Sequence, residues 1–189
     1  MSMFDPSLPP VLNAPFTSFR DWRGSLTKVF AEGELTAPGF EMEKRQILHS
    51  ATAEAGILRG MHAQLGPHSE GKILISLSGH MFWVVVDLRE GSNSFGVWKG
   101  FDLTPEGSGG ASGLQVPAGF AHGCLSVSPD ANLMILADKD FAPDQGVGIA
   151  WDDKDLAIEW PLNGMKPRLS DDHASYGSFA DFREQHGSL

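Results

Sequence analysis

The chain has little cysteine, little positive charge and no long apolar run, and each shortage excludes a class of protein. Its 189 residues contain one cysteine, Cys124, which excludes an internal disulfide and any zinc site built from several thiolates. Lysine and arginine number 14 against 24 aspartates and glutamates, so the net charge is −10. Because nucleic-acid binders present a basic face, we expect no nucleic acid among the partners. No segment approaches about 18 consecutive apolar residues, so we expect no contact with a membrane and a cytoplasmic location.

The composition that remains is that of an ordinary globular domain. Hydrophobic residues make up 41% of the chain and charged residues 20%, which excludes wholesale disorder. A chain of this length can bury a sizeable core without disulfides or metals. We therefore predict a single domain over residues 1–189, with an N-terminal arm (1–35), a barrel core (about 40–145) and a C-terminal extension (146–189).

Short apolar runs, separated by clusters of glycine, serine, asparagine, aspartate and proline, predict β-strands. Ser78-Gly79 between two such runs predicts a hairpin turn, and the two-residue period of a strand places Phe82 and Trp83 on opposite faces. This spacing of short strands is typical of an all-β sandwich or a closed antiparallel barrel, with helices mainly at the termini. The segments expected to enclose it are 72–77, 81–88 and 133–137.

Three short segments carry groups capable of chemistry. A single histidine in a β protein is more often a surface or hydrogen-bonded residue than a catalyst, and a lysine at the start of a strand usually extends its amine to solvent. The combination of a cation, two imidazoles and an amide favours a functional site over these separate structural roles. The segments are Leu58–Gln64 (LRGMHAQ), Val116–Gly123 (VPAGFAHG) and Lys72 at the head of KILISL.

The spacing Pro117-x-Gly119-x-x-His122 resembles the second motif of the cupin barrels. More specifically, the chain resembles the dTDP-4-dehydrorhamnose 3,5-epimerase family over about residues 15–172, with the matching segments in the same order. These segments are DWRG (21–24), GILRGMHAQ (56–64), GKILISLSG (71–79), VVDLREGSNSFGVW (85–98), VPAGFAHG (116–123), Trp151-Asp152, IEWP (158–161) and PRLS (167–170).

The resemblance implies a cupin-type jelly-roll barrel that forms a homodimer and uses neither a metal nor a cofactor. Its substrate would be a nucleotide-diphosphate sugar with a 4-keto-6-deoxy ring. A C–H bond beside a ketone is a weak acid, so epimerisation there needs a base, a donor for the developing enolate oxygen and an acid on the opposite face. The resemblance assigns the role of base to His62, and it places Lys72 to stabilise the enolate or to hold phosphate.

Further site residues follow from the same resemblance. The carboxylate that orients the base lies in a Ser-x-x-Asp segment, which here reads Ser170-Asp171-Asp172-His173. We expect Asp172 to supply this carboxylate, with Asp171 as the alternative. Arginines suit bidentate contacts with a diphosphate. The expected substrate-binding residues are Arg23, Gln46, Arg59 and His122.

The chain departs from the family pattern where the catalytic acid should be. The family takes this acid from tyrosines that precede a proline, whereas Ile135 and Phe141 stand at the expected positions here. Three substitutes are a bound water, an aspartate at 138 or 140, and Tyr176, the one tyrosine of the chain. We rank water first, because an exposed aspartate is ionised and Tyr176 is expected on a mobile tail.

Two further departures fall in the expected nucleotide pocket. Lys28 stands where the family has an acidic residue, and Leu48 stands where it has an asparagine. The sequence therefore does not predict a preference for thymidine.

Several functions remain open at this level. The first is an epimerase acting at two carbons or one carbon of a 4-keto sugar, in deoxysugar or polysaccharide biosynthesis. The alternatives are a related keto-sugar isomerase, a non-catalytic cupin that binds a sugar nucleotide, and an interaction domain whose barrel is filled with apolar side chains. A metal-dependent cupin is disfavoured, because His62-Ala63-Gln64 and His122 offer two imidazoles where an open catalytic site usually has three ligands.

Overall fold

The computed structural model describes residues 12–13, 17–22, 24–28, 46–105 and 112–189. Two short helices, α1 (Asp171–Ala174) and α2 (Phe179–His186), lie near the C-terminus, and 3-10 turns cover Gly66–His68 and Pro143–Gln145. None of the helices in these ranges is long and apolar enough to cross a membrane. The strands are β1 (Leu12–Asn13), β2 (Thr17–Asp21), β3 (Gly24–Lys28), β4 (Gln46–Thr52), β5 (Leu58–Gln64), β6 (Lys72–Ser78), β7 (Met81–Asp87), β8 (Trp98–Leu103), β9 (Gly113–Val116), β10 (Phe120–Ser126), β11 (Ala131–Ala137) and β12 (Gly146–Gly148).

Two five-stranded sheets form the body of the molecule. Their strand orders are β1-β9-β6-β11-β4 and β12-β5-β10-β7-β8, and β2 pairs with β3 in a separate ribbon. All of these pairings are antiparallel. The described part also contains one isolated parallel bridge, between Ile57 and Arg168. The expected all-β, antiparallel jelly-roll architecture is confirmed, with helices confined to the C-terminal part of the described chain.

The strands predicted at 72–77, 81–88 and 133–137 correspond to β6, β7 and β11 within two residues. Trp83 packs in an apolar cluster shared by the two sheets, whereas Phe82 packs against a second cluster on the other face of β7. The second cluster is completed by the C-terminal segment, which contributes the buried rings of Phe179 and Phe182. β7 is therefore covered on both faces, which explains why its apolar residues do not alternate with polar ones.

The predicted hairpin at Ser78-Gly79 is wrong in its pairing. A tight turn does connect β6 to β7, and Gly79 has a positive φ of 69°. The two strands belong to different sheets, however, since β6 pairs with β9 and β11 while β7 pairs with β8 and β10. The turn is a corner of the barrel. Sequence adjacency and turn chemistry do not distinguish a corner from a hairpin, because the difference lies in long-range partners.

A close approach of β5 and β10 places two histidines side by side. His122 on β10 is the register partner of His62 on β5, and the pairing is irregular just beyond it. Gly60 lies in this irregular region with a φ of 96°. A Cβ on Gly60 would lie 2.5 Å from the His122 carbonyl oxygen and 2.7 Å from the Cα of Gly123. Only glycine combines this backbone conformation with so close a contact.

We expect Gly60→Ala to destabilise the fold by about 2–5 kcal/mol, as the sum of backbone strain and overpacking. Gly91→Ala is a matched control, because Gly91 also has a positive φ of 68° but has no atom within 4 Å of a Cβ position. Thermal denaturation of both variants separates the contact from the strain. An equal loss of Tm in the two variants would contradict the close approach described here.

Candidate active site

A cavity of about 660 Å³ opens among strands of both sheets. Its walls come from β4 and β6 of the first sheet, β5 and β12 of the second, and residues 172–176. An interaction domain with an interior filled by apolar side chains would have no such space, so the structure disfavours that alternative. The titratable side chains in the walls are His62, Glu70, Lys72, Asp172, His173 and Tyr176.

His62 is held in the wall by packing on both sides of its ring. Its ring meets the edge of the His122 ring with centroids 4.4 Å apart and planes at 73°. Its Nδ1 atom is buried and has no hydrogen-bond partner among the described residues. Burial, together with Lys72 and His173, lowers the pKa of His62 to about 3. His62 is therefore neutral at pH 7, able to accept a proton but a weaker base than free imidazole.

Lys72 brings a cation to the same place from the first residue of β6. Its Nζ lies 2.7 Å from Glu70 Oε1 and 2.6 Å from His122 Nε2, and the Lys72 and Glu70 side chains are only 11% and 12% exposed. Burial lowers the pKa of Lys72, and the neighbouring Glu70 carboxylate opposes that effect. Glu70 thus favours the ammonium form in surroundings that would otherwise favour the amine.

His122 is buried and is not part of the cavity wall. It is 3% exposed, and its ring is stacked on Trp83 with centroids 5.4 Å apart. Burial, then Lys72 and His62, lowers the pKa of His122 well below its usual range. A neutral His122 accepts a hydrogen bond from the Lys72 ammonium and holds it in place. Its direct contact with substrate stays a prediction.

The segment Ser170–His173 presents a histidine to His62, where a carboxylate was expected. The His173 ring is stacked on the His62 ring, with centroids 5.4 Å apart and planes 10° apart. Asp172, the carboxylate expected to orient His62, borders the cavity but forms no hydrogen bond with His62 Nδ1, which has no partner among the described residues. Ser170 caps α1 by accepting a hydrogen bond from the His173 N–H, and the phase of this single turn directs His173 toward β5.

The expected substrate-binding residues do not all meet at the cavity. Gln46 borders it and donates a hydrogen bond from Nε2 to the Lys139 carbonyl, 2.8 Å away. Arg59 is not part of its wall and donates from Nη1 to Thr52 Oγ1 at 2.8 Å. Arg23 lies outside the described residues.

Gln64 stands where a metal-binding cupin has its second histidine, and here it holds the chain in place. It is buried, donates to the carbonyls of His68 and Asp140, and accepts from the Ala142 N–H at 2.6 Å. Within the described ranges no group of three histidine, cysteine, aspartate or glutamate side chains is arranged to hold a metal ion.

Comparison with known proteins identifies the family. The model of the dTDP-4-dehydrorhamnose 3,5-epimerase family matches residues 6–181. The chain belongs to this family. A dTDP-4-dehydrorhamnose 3,5-epimerase of Shigella flexneri is 36% identical over 186 residues, covering 96% of this chain and 97% of the relative. The family is one of isomerases that epimerise sugars.

Solved structures agree with this assignment. The RmlC epimerase of Mycobacterium tuberculosis superposes with a TM-score of 0.81 at 36% identity, covering 89% of this chain and 84% of that one. A 3'-monoepimerase from Streptomyces bikiniensis, solved in complex with dTDP-quinovose, superposes with a TM-score of 0.80 at 28% identity, covering 89% and 83%. The structural neighbours thus include one named for a single epimerisation.

The family pattern places tyrosines in the segment 135–141. In this chain, that segment contributes no side chain to the cavity wall that could donate a proton. Ile135 packs partly buried against the core, and Phe141 borders the cavity as an exposed phenyl ring. Asp138 is outside the wall and accepts a hydrogen bond from the Gly71 N–H at 2.7 Å. Asp140 is exposed and also outside it. Neither aspartate is placed to replace the tyrosine.

Tyr176 borders the cavity, so the expectation of a mobile tail is wrong. Its ring lies 5.3 Å from that of His173, centroid to centroid. The ring also lies over Gly148, where any Cβ would overlap it. Burial raises the pKa of Tyr176, which keeps the phenol protonated. Its place beside His173 puts it on the same wall as His62, whereas inversion needs a donor on the opposite side.

Two cavity residues, Glu70 and His173, were not identified from the sequence. A carboxylate two residues before a strand-opening lysine was a signal for Glu70 that could have been used. For His173 the signal was its position in the segment. It occupies the fourth place of the Ser-x-x-Asp pattern, where the family has the aspartate. The sequence pattern predicts a carboxylate shifted to Asp172, whereas in the structure the ring of His173 contacts His62.

Proposed function

We propose that the protein is an epimerase that acts on a nucleotide-linked 4-keto-6-deoxy sugar in deoxysugar biosynthesis. The observation that supports this most is the meeting of a neutral imidazole, His62, and a buried ammonium, Lys72, at one accessible cavity. A base and a cation for the enolate oxygen are the two groups that the first half of epimerisation requires. The names of the relatives agree with this substrate class.

The proposed first half-reaction uses His62 as base. Its ring nitrogen takes a proton from the carbon beside the ketone, and the C–H electron pair forms the C=C bond of the enolate. The carbonyl π pair moves to oxygen, where the Lys72 ammonium donates a hydrogen bond. Such a donor is already oriented toward the oxygen in a site of low dielectric. It therefore stabilises the developing negative charge without the reorganisation that water would need.

The proposed second half-reaction uses water as the acid on the opposite face. Water donates a proton to the enolate carbon, and the resulting hydroxide takes the proton held by His62, so that atoms and charge balance. An imidazolium of low pKa is itself a ready donor and can return a proton, after exchange with solvent, to the face it came from. Return to the same face therefore competes with inversion.

Nucleotide recognition, location and assembly remain proposals. We assign the diphosphate to Arg23 and Arg59 and a nucleotide contact to Gln46, by the resemblance of their sequence motifs; Asp172 borders the cavity. We also propose a cytoplasmic homodimer. The edge strand β4 supports a dimer, because it exposes the apolar side chain of Ile47 at 69%.

Light scattering should give a mass of about twice 20.4 kDa, and a mass of one chain would contradict the dimer.

A non-catalytic cupin that binds a sugar nucleotide is the competing function. The missing tyrosine and the missing orienting carboxylate favour it. A pure binder, however, has no use for a neutral imidazole and a buried lysine at the base of its cavity, and keeping Lys72 charged there has an energetic cost.

We expect the protein to exchange the protons next to the ketone of a dTDP-4-keto-6-deoxy sugar with D₂O, as followed by proton NMR. His62→Ala should slow this exchange by at least about 100-fold, the usual contribution of a general base. Tyr176→Phe is the matched control and should retain most of it, since the phenyl ring preserves the packing. No exchange by the wild type, or undiminished exchange by His62→Ala, would remove this function and favour the binder.

A further inference from the structure

Three aromatic rings form one wall of the cavity. His62 is stacked on His173 at 5.4 Å, and the ring of Tyr176 lies 5.3 Å beyond His173. The backbone of Gly148 lies against the Tyr176 ring and is the register partner of His62. The wall therefore runs from the candidate base on β5 to the segment that follows α1.

His173 is fixed from two directions. The turn of α1 is capped by Ser170, and the Ala174 N–H donates to the Ser170 carbonyl at 3.0 Å. On the other side, the Gly60 N–H donates to His173 Nδ1 at 3.4 Å. Since Nδ1 accepts this hydrogen bond, the neutral ring carries its proton on Nε2. The His173 imidazole thus has a defined place and tautomer against His62.

His62 has no comparable hydrogen bond of its own. A base oriented by a carboxylate donates its Nδ1–H to it, and the negative charge then stabilises the imidazolium that forms. In this chain Nδ1 of His62 has no partner in the described part of the structure. Orientation of the ring must come from its packing between His122 and His173.

The charges that face His62 are positive or neutral on every element packed against it. Lys72 approaches from β6 and disfavours a positive charge on His62, whereas the His122 ring approaches from β10 as a neutral group. His173 approaches from α1, and Tyr176 behind it is neutral. The carboxylates of the wall are displaced from His62: Glu70 is paired with Lys72, and Asp172 acts on His173 and Tyr176.

We propose that His173 is the positioning residue of the candidate base: its imidazole fixes the His62 ring by stacking, where a carboxylate would fix it by hydrogen bonding, and it withholds the negative charge that would stabilise the imidazolium. Tyr176 supports His173 from behind. Together with burial and the Lys72 ammonium, this arrangement gives a base that stays neutral in mildly acidic solution, consistent with the low pKa of His62. The role in catalysis rests on the proposed function, whereas the effect on His62 does not.

The test is a ¹⁵N NMR titration of the histidine side chains between pH 4 and 8, with His62 assigned from the spectrum of His62→Ala. In the wild type we expect no titration of His62 above about pH 4. His173→Asp should raise its midpoint by about 1–3 units, the usual effect of an opposite charge at this range. His68→Asp is the matched control, since it makes the same substitution at an exposed residue outside the cavity wall, and should leave the midpoint unchanged.

A second variant protects the test against a folding failure of the first. His173→Ala removes the stacked ring and admits water, so the His62 midpoint should move toward the ordinary value of about 6.5. A wild-type midpoint near 6.5, or a midpoint unchanged in the folded variants, would overturn the proposal. Tyr176→Phe keeps the stack and should leave the midpoint as it is.

The same variants separate this proposal from the proposed function. The titrations contain no sugar, so absence of proton exchange with every 4-keto sugar nucleotide would overturn the function and leave the role of His173 standing. If exchange is present, its rate in His173→Asp should gain an acidic limb at the new midpoint, which the wild type should lack down to about pH 4.

Discussion

The contact between the Lys72 ammonium and the neutral ring of His122 is the interaction on which the rest of the site depends. It joins the first residue of β6 in one sheet to the middle of β10 in the other, and both side chains are buried. Glu70 compensates the charge, and the glycine at position 60 lets β5 approach β10 closely enough to bring His62 alongside. The two sheets therefore meet around a charged cluster at this point, and His62, Glu70 and Lys72 of this cluster line the cavity.

The same cluster determines the chemistry that His62 can perform. A buried imidazole beside an ammonium and a second imidazole is a neutral acceptor, but its protonated form is unstable. A base of this kind binds a proton weakly and transfers it readily to another acceptor. In the proposed mechanism, the absence of tyrosine at positions 135 and 141 leaves water as the proton donor on the other face, so we expect proton removal to be more efficient than inversion.

The sequence predicted local features well and long-range ones less well. β6, β7 and β11 follow from apolar runs and turn residues within a few positions, and His62 and Lys72 follow from motifs that are continuous in the chain. The corner at Ser78-Gly79 was misassigned, because a turn does not specify the sheet to which each strand belongs.

The cavity wall formed by the rings of His62, His173 and Tyr176 could not be derived from the sequence, for a related reason. In a single helical turn such as α1, a change of one residue rotates a side chain by about 100°, so the choice between Asp172 and His173 depends on the phase of the turn. Tyr176 was placed on a tail, since nothing in the adjacent sequence indicates that its ring lies over Gly148. Such contacts are set by chain segments far apart in sequence.

The most direct test of the account compares deuterium incorporation with inversion in one sample of a dTDP-4-keto-6-deoxy sugar in D₂O. Mass spectrometry gives the deuterium content, and NMR coupling constants give the configuration at each carbon beside the ketone. The proposed mechanism predicts that deuterium accumulates faster than inverted sugar, because His62 would return a solvent-exchanged proton to the face from which it took one. Inversion of every carbon that gains deuterium would contradict it, since an efficient acid would then have to stand on the opposite face.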